Sequence, residues 1–449
     1  MGDGLAGADV DDVVTSGTNR GHAWWSSVAA RPSLVPATFV ALLAVLLVAT
    51  YALPDRQDDE AGYLELARNL THGHYATGRP EALLDDDPSY PDLWFGPGLP
   101  LALAGPVAAG VPVELLRLTG PLFLLCALLV FHALVRRTLA PAAALAATIA
   151  LGLYVPFYSA LTNLHSEPLA VLLLVVSMYA IARACAGEGR RWTVVGGAAL
   201  AGLALTRVAY GWVLTIALVA FAVWWLTTRR PAARRLLAMT ALALALCVPW
   251  LAYTTVETGR ALQWGNSGAL SLYWMSTPTP GLEGDWQQAN DVFHDPALAA
   301  ERPFFASLRG LELPAQNSRL ERRAVSNIVH HPISYAKHVA ANVSRMLFDT
   351  PYSHQGQRLG AFAFALPNAL LLGMLAASLL MLAIRGRRLP PPALPFAILA
   401  VIALGLHALV AAYPRMLFPI VPLLVWFVAI GLARESRDGA GPPTARRAI

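Results

Sequence analysis

Residues 34–53 read LVPATFVALLAVLLVATYAL, a run without a single charge, and the acidic cluster Asp58-Asp59-Glu60 follows a few residues later. About 20 apolar residues suffice to carry a helix across the hydrocarbon core of a bilayer. The run therefore reads as a membrane span that delivers three carboxylates to the membrane edge. A stripe of Tyr63, Leu66, Ala67 and Leu70 continues from the cluster at helical spacing. The carboxylates thus stand at the head of a short helix.

The rest of the chain repeats the apolar half of this pattern. Of 449 residues, 56% are hydrophobic and 14% charged, a balance that excludes a soluble globular protein. Comparable runs at 115–135, 139–158, 168–183, 193–207, 210–226, 236–255, 359–384, 391–411 and 414–433 complete an expected set of ten spans. The fold class is an all-α polytopic membrane bundle. A further run at 98–113 is interrupted by Gly105-Pro106, Gly110 and Pro112 and reads as a re-entrant or interfacial helix.

Arginine pairs decide the sidedness. Arg136-Arg137, Arg190-Arg191, Arg229-Arg230 with Arg234-Arg235, and Arg385 with Arg387-Arg388 all lie between spans. Placing them in the cytoplasm, as the positive-inside rule expects, leaves a disordered cytoplasmic N-terminus at 1–33 and a cytoplasmic tail at 434–449. A membrane module at 34–255 includes a first outer loop at 54–114. A second outer loop spans 256–358, and C-terminal transmembrane helices occupy 359–433. Treating 98–113 as a crossing would invert every later segment. The net charge of +5 is accounted for by this topology, and nucleic acid is not an expected partner.

Cys126, Cys185 and Cys247 lie within or at the ends of spans without metal-ligand spacing, which predicts packing roles. The first apolar run is too long for a signal-peptide core and reads as an uncleaved anchor. Lys337 is the only lysine; such arginine usage points to a GC-rich genome and a bacterial cell envelope, hence the plasma membrane.

The two outer segments are long enough to be functional. The first contains His72-Gly73-His74-Tyr75, the acidic run Asp85-Asp86-Asp87 and the aromatic stretch from Tyr90 to Phe95. The second has turns around Trp264–Gly268 and Thr277–Gly281, then a helical pattern from Arg319 to Phe348 interrupted at Pro332. That pattern predicts a helix lying on the membrane surface.

In this order the motifs resemble those of the GT-C superfamily of integral membrane glycosyltransferases, which includes the protein O-mannosyltransferases and lipid A aminoarabinose transferases. Asp59-Glu60-Ala61-Gly62-Tyr63 is similar to the family's first outer loop, and Gly96-Pro97-Gly98-Leu99-Pro100 to its Pro-rich lead into an embedded helix. Leu164-His165-Ser166-Glu167-Pro168 resembles its second acidic motif. Thr206-Arg207 and Tyr413-Pro414-Arg415 resemble the arginines near outer ends of later spans, although Arg415-Met416 stands where the family has Arg-Tyr. The resemblance implies a polyprenyl-phosphate sugar donor, a first-loop Asp as base, and inverting transfer on the outer face.

The residues support that chemistry independently. The topology brings Asp59, Glu60, Glu167, Arg207 and Arg415 to one membrane face. Sugar transfer needs a base for the acceptor hydroxyl and positive charge at the departing phosphate. Asp59 suits the base, and Glu60 or Glu167 could orient the acceptor. Asp59 and Glu167 are also candidate ligands for a divalent cation, Mg or Mn. Arg207 and Arg415 suit the phosphate, and Tyr63 and Trp94 could hold the sugar or the acceptor, which could be a lipid, glycan or protein. Plainer roles exist for each: helix capping for the first acidic cluster, a first-turn position before Pro168 for Glu167, head-group snorkelling for Arg207, and interface anchoring for Trp94.

Two other classes compete. A transporter or flippase of a lipid-linked sugar would place ionisable groups near the bilayer midplane, whereas the span interiors here carry little beyond His132 and His407. A non-catalytic scaffold would not require an acidic cluster at the mouth of the first span.

Overall fold

The computed structural model describes residues 33–53, 59–75, 93–354, 359–386 and 389–433. Asp58, the run Asp85-Asp86-Asp87, the stretch Tyr90–Asp92 and the terminal segments 1–32 and 434–449 lie outside the described residues. Every expected apolar run is helical, and no strand occurs among the described residues. The architecture is that of a multi-pass membrane protein.

The first span is α1, Leu34–Ala52, followed by the short α2, Glu60–Thr71, and α3, Gly98–Ala108. Eleven residues at about 1.5 Å each give α3 about half of the roughly 30 Å a crossing requires. Six helices of the first bundle follow: α4 (Thr119–Val135), α5 (Pro141–Gly152), α6 (Glu167–Cys185), α7 (Arg191–Thr206), α8 (Ala209–Thr228) and α9 (Pro231–Leu246). The bundle continues into α10, Val248–Thr258.

Among the described residues, seven helices are long and apolar enough to cross a membrane, or eight if α9 and α10 form one span. The expected ten therefore include two shorter members. The run at 139–158 stops being α-helical at Gly152 and continues as a 3-10 turn over Val155–Ala160. The run at 193–207 forms a 16-residue helix that ends where Arg207 turns extended. The run at 236–255 bends by 46° between α9 and α10. Pro249 lacks an N–H and crowds the carbonyl four residues earlier, which accounts for the break.

Between the two groups of spans lies the segment expected on the outer side, hereafter the outer domain, which has its own core. Its main helices are α11 (Gly268–Ser276), α12 (Leu313–His330) and α13 (Pro332–Phe348); the division at Pro332 falls where the sequence places it. Trp274 stacks on Phe305 with centroids 5.3 Å apart, Tyr273 stacks on Phe304, and Leu298, Leu308 and Leu320 close around them. The chain then returns through α14 (Phe362–Ile384), α15 (Ala393–Val410), the single turn α16 (Pro414–Leu417) and α17 (Val421–Leu432).

The membrane helices meet through small residues, the usual means of close approach where lipid provides no hydrophobic drive. A Cβ on Gly431 of α17 would lie 2.7 Å from the Ser378 carbonyl oxygen of α14. Helix α6 is wedged between α4 and α7, with α9 behind α7. Its two ends have opposite characters. At the C-terminal end, Glu188 takes both Arg137 and Arg183, and Arg235 donates to the Ala184 carbonyl at 2.9 Å. Three of the arginine-bearing connections therefore converge there. At the N-terminal end stands Glu167.

Candidate active site

Glu167 opens α6 and is nearly enclosed, with 2% of its side chain exposed. Its Oε1 accepts from Arg207 Nη1 at 2.5 Å and lies 3.9 Å from Arg415 Nε. The carboxylate is thus a shared counter-charge for two guanidiniums, which is how a charge is tolerated out of water. A solvated first-turn role for Glu167 is overturned by this enclosure. Head-group snorkelling is equally inapplicable to Arg207, which points inward to Glu167 and to Ser166 Oγ at 3.4 Å.

Arg207 reaches this position because α7 ends one residue earlier and its backbone becomes extended, φ −132° and ψ 99°. The Pro-rich motif is packed against that ending. A Cβ on Gly96 would lie 2.1 Å from the Leu205 carbonyl oxygen, and one on Gly98 would lie 2.3 Å from Thr206 Oγ1. No other residue fits at either position without moving the turn that presents Arg207.

Asp59 is the N-cap residue of α2, yet its side chain makes no capping bond. Instead Oδ2 accepts from Arg415 Nη1 at 2.8 Å, across 356 residues of chain. Helix capping is therefore not what its carboxylate does. Glu60 faces elsewhere: its oxygens accept from Arg117 Nε at 2.9 Å, Arg117 Nη2 at 2.7 Å and the Leu164 N–H at 2.9 Å. Burial alone would raise the Glu60 carboxyl, but the hydrogen bonds from Arg117 and Leu164 and the Arg117 charge hold it below its ordinary value.

A cavity of about 320 Å³ joins these groups. Asp59, Tyr63, Trp94, Arg207 and Arg415 all line it, whereas Glu167 sits behind its wall and Glu60 is outside its lining. The remaining wall is partly hydroxylated, through Ser166, Thr206, Ser267 and Ser271, and partly apolar, through Trp212, Leu272, Leu406 and Val410. Tyr63 is buried and pairs with Phe95, with ring centroids 4.6 Å apart. Burial pushes its hydroxyl well above the usual phenol value, and the Asp59 and Glu167 charges act in the same direction. Trp94 meets Trp286 of the outer domain edge to face at 5.3 Å.

Arg117 escaped the sequence reading, although a lone arginine at the start of the apolar run 115–135 is a visible signal. Trp212, Trp264 and His407 also line the cavity; His407 is marked in the sequence as an ionisable group inside a span, whereas Trp212 and Trp264 carry no signal that points to a site. His72 and His74 are exposed, whereas His165 is buried with Nδ1 4.0 Å from Glu167 Oε2. Among the described residues no group of three or more His, Cys, Asp or Glu is arranged to hold a metal ion. The candidate cation ligands Asp59 and Glu167 direct oxygens at the guanidinium groups of Arg415 and Arg207.

No protein-family model and no curated protein sequence matches the chain. In structure it is similar to an archaeal oligosaccharyltransferase, AglB from Archaeoglobus fulgidus, solved in complex with an inhibitory peptide and a dolichol-phosphate. That match has a TM-score of 0.50 and 12% identity and covers 88% of this chain. This chain spans about half, 49%, of the length of AglB. A second similar structure is ArnT from Cupriavidus metallidurans bound to undecaprenyl phosphate, with a TM-score of 0.41, 18% identity, and coverage of 90% of this chain and 78% of that one. The likeness to AglB, at 12% identity, is one of fold.

Proposed function

We propose that this protein is a membrane glycosyltransferase that moves a sugar from a polyprenyl-phosphate donor to a hydroxyl on a lipid, glycan or protein acceptor. The reaction takes place at the outer face of the plasma membrane and inverts the anomeric centre. The observation that carries this reading is the convergence of Asp59, Tyr63, Trp94, Arg207 and Arg415 on one cavity, with Glu167 paired to Arg207 behind it.

In this reading Asp59 accepts the acceptor hydroxyl proton as the oxygen attacks the anomeric carbon from the side opposite the phosphate. The bond from that carbon to the phosphate oxygen breaks, and the lipid phosphate leaves with the electron pair. Arg207 and Arg415 receive its charge. Tyr63 donates from a hydroxyl that stays protonated, and Trp94 offers an aromatic face to the sugar. Glu167 orients the arginines, Glu60 anchors the loop at Leu164, and the apolar wall from Trp212 to Val410 suits the prenyl chain.

The test is transfer by the purified protein in nanodiscs, supplied with a radiolabelled polyprenyl-phosphate sugar and candidate acceptors. Wild type should label an acceptor, and Asp59→Asn should transfer at least about 100-fold more slowly. Undiminished transfer by Asp59→Asn would overturn the base assignment; movement of intact donor across the bilayer without transfer would favour transport.

A further inference from the structure

Tyr413-Pro414-Arg415 stands out in the sequence for its arginine, and the structure adds a role for the tyrosine. Tyr413 is extended, φ −132° and ψ 159°, immediately before α16. Proline at the next position confines it to such conformations. The direction of its side chain and the course of the chain into Arg415 are therefore tied together.

The Tyr413 hydroxyl accepts the backbone N–H of Trp286 at 2.7 Å, 127 residues away. The Trp286 indole in turn packs on Trp94, a wall of the cavity. One turn of the outer domain thus touches the cavity wall on one side and the residue leading to Arg415 on the other.

That turn is firmly held. Buried Asp285 accepts from the Ser353 N–H at 3.0 Å and also from its hydroxyl, while Ser353 Oγ accepts the Glu283 N–H at 2.9 Å. Arg345, with 0% exposure, donates to the carbonyls of Glu283 at 2.7 Å and Pro351 at 2.8 Å. Its guanidinium carbon lies 5.9 Å from the Tyr413 ring centroid and 5.5 Å from that of Tyr352, and the two rings stack. A cation enclosed against two aromatic faces and several carbonyls has little freedom to move.

We propose that Tyr413 is a positioning residue: by holding the Trp286 N–H it fixes the turn that carries Arg415, so the outer domain sets the reach of that guanidinium. The inference rests on the function proposed above, in which Arg415 contacts the donor phosphate.

Four full-length proteins in nanodiscs test it: wild type, Tyr413→Phe, Arg415→Ala and the double variant. Phenylalanine keeps the ring stack and removes only the hydrogen-bond acceptor. Binding of polyprenyl phosphate alone should weaken about ten-fold in Tyr413→Phe, with the melting temperature retained within a few degrees. The double variant should bind no worse than Arg415→Ala, because both changes remove the same interaction. Wild-type binding by Tyr413→Phe, or losses that multiply in the double variant, would overturn the proposal. If wild type binds no polyprenyl phosphate, the proposed function fails. The positioning is then read from a cycle of melting temperatures pairing Tyr413→Phe with Asp59→Asn, where non-additive shifts support it and additive shifts overturn it.

Discussion

Arg117 grips Glu60 through two donors, Nε at 2.9 Å and Nη2 at 2.7 Å, while its neighbour Asp59 turns to Arg415. Two adjacent carboxylates are therefore committed to different tasks. One ties the start of α2 to the base of α4 and to the Leu164 loop; the other faces the cavity.

For Glu60 the expected phenotype is stability. Glu60→Gln should lower the unfolding free energy in detergent by about 1.5–3 kcal/mol, the range for hydrogen bonds to a charged group. The acid limb should change as well. Because the folded carboxyl is held below its ordinary value of 4.5, its stabilisation is complete above that value and is lost as pH falls through the folded one. Melting curves across pH 3–7 should accordingly show a shallower acid decline in Glu60→Gln than in wild type.

Glu167 and Arg207 should behave as a pair. Arg207→Ala leaves a nearly enclosed carboxylate without its closest counter-charge, which is expected to destabilise by about 3–5 kcal/mol. Adding Glu167→Gln should recover much of that stability. Donor affinity should not return, since the phosphate ligand is still missing. Parallel melting and lipid-binding measurements separate the two effects, and recovery of affinity in the double variant would contradict the assigned role of Arg207.

Gly98→Ala tests the fit between the Pro-rich motif and α7. Its Cβ would meet the Thr206 backbone nitrogen at 2.7 Å, so the ending of α7 must shift. A loss of about 1–3 kcal/mol is expected for such overpacking, together with reduced transfer through displaced Arg207. Gly105→Ala on the same helix meets nothing within 4 Å and serves as the control, with stability near wild type.

Asp59→Asn should separate chemistry from fold. The fold should survive the change, at the cost of the ion pair to Arg415, while transfer should fall by a factor of about 10² to 10⁴ if Asp59 takes the acceptor proton. Equal losses in donor binding and turnover would instead assign Asp59 to holding Arg415.

The apolar runs made the helical bundle legible, because a span must satisfy its backbone internally and is written as an uninterrupted apolar segment. Helix endings were harder to read. The runs at 139–158 and 236–255 stay apolar through Gly152 and Cys247 while the backbone changes course, since a leucine after a break is as apolar as one before it. Asp59, Arg207 and Arg415 could be brought together on the page by sidedness alone. The partner of Glu60 could not, nor could the buried Arg345, because pairings across tens or hundreds of residues are decided by how helices pack and leave no spacing in the chain.

The paired charges at the cavity have a kinetic corollary. Asp59 and Glu167 already pair with Arg415 and Arg207, so under the proposed function a lipid phosphate would compete with Asp59 for Arg415. Asp59 would take Arg415 back when the spent lipid departs. In that reading the cavity presents no uncompensated charge to solvent through these two pairs until the donor arrives.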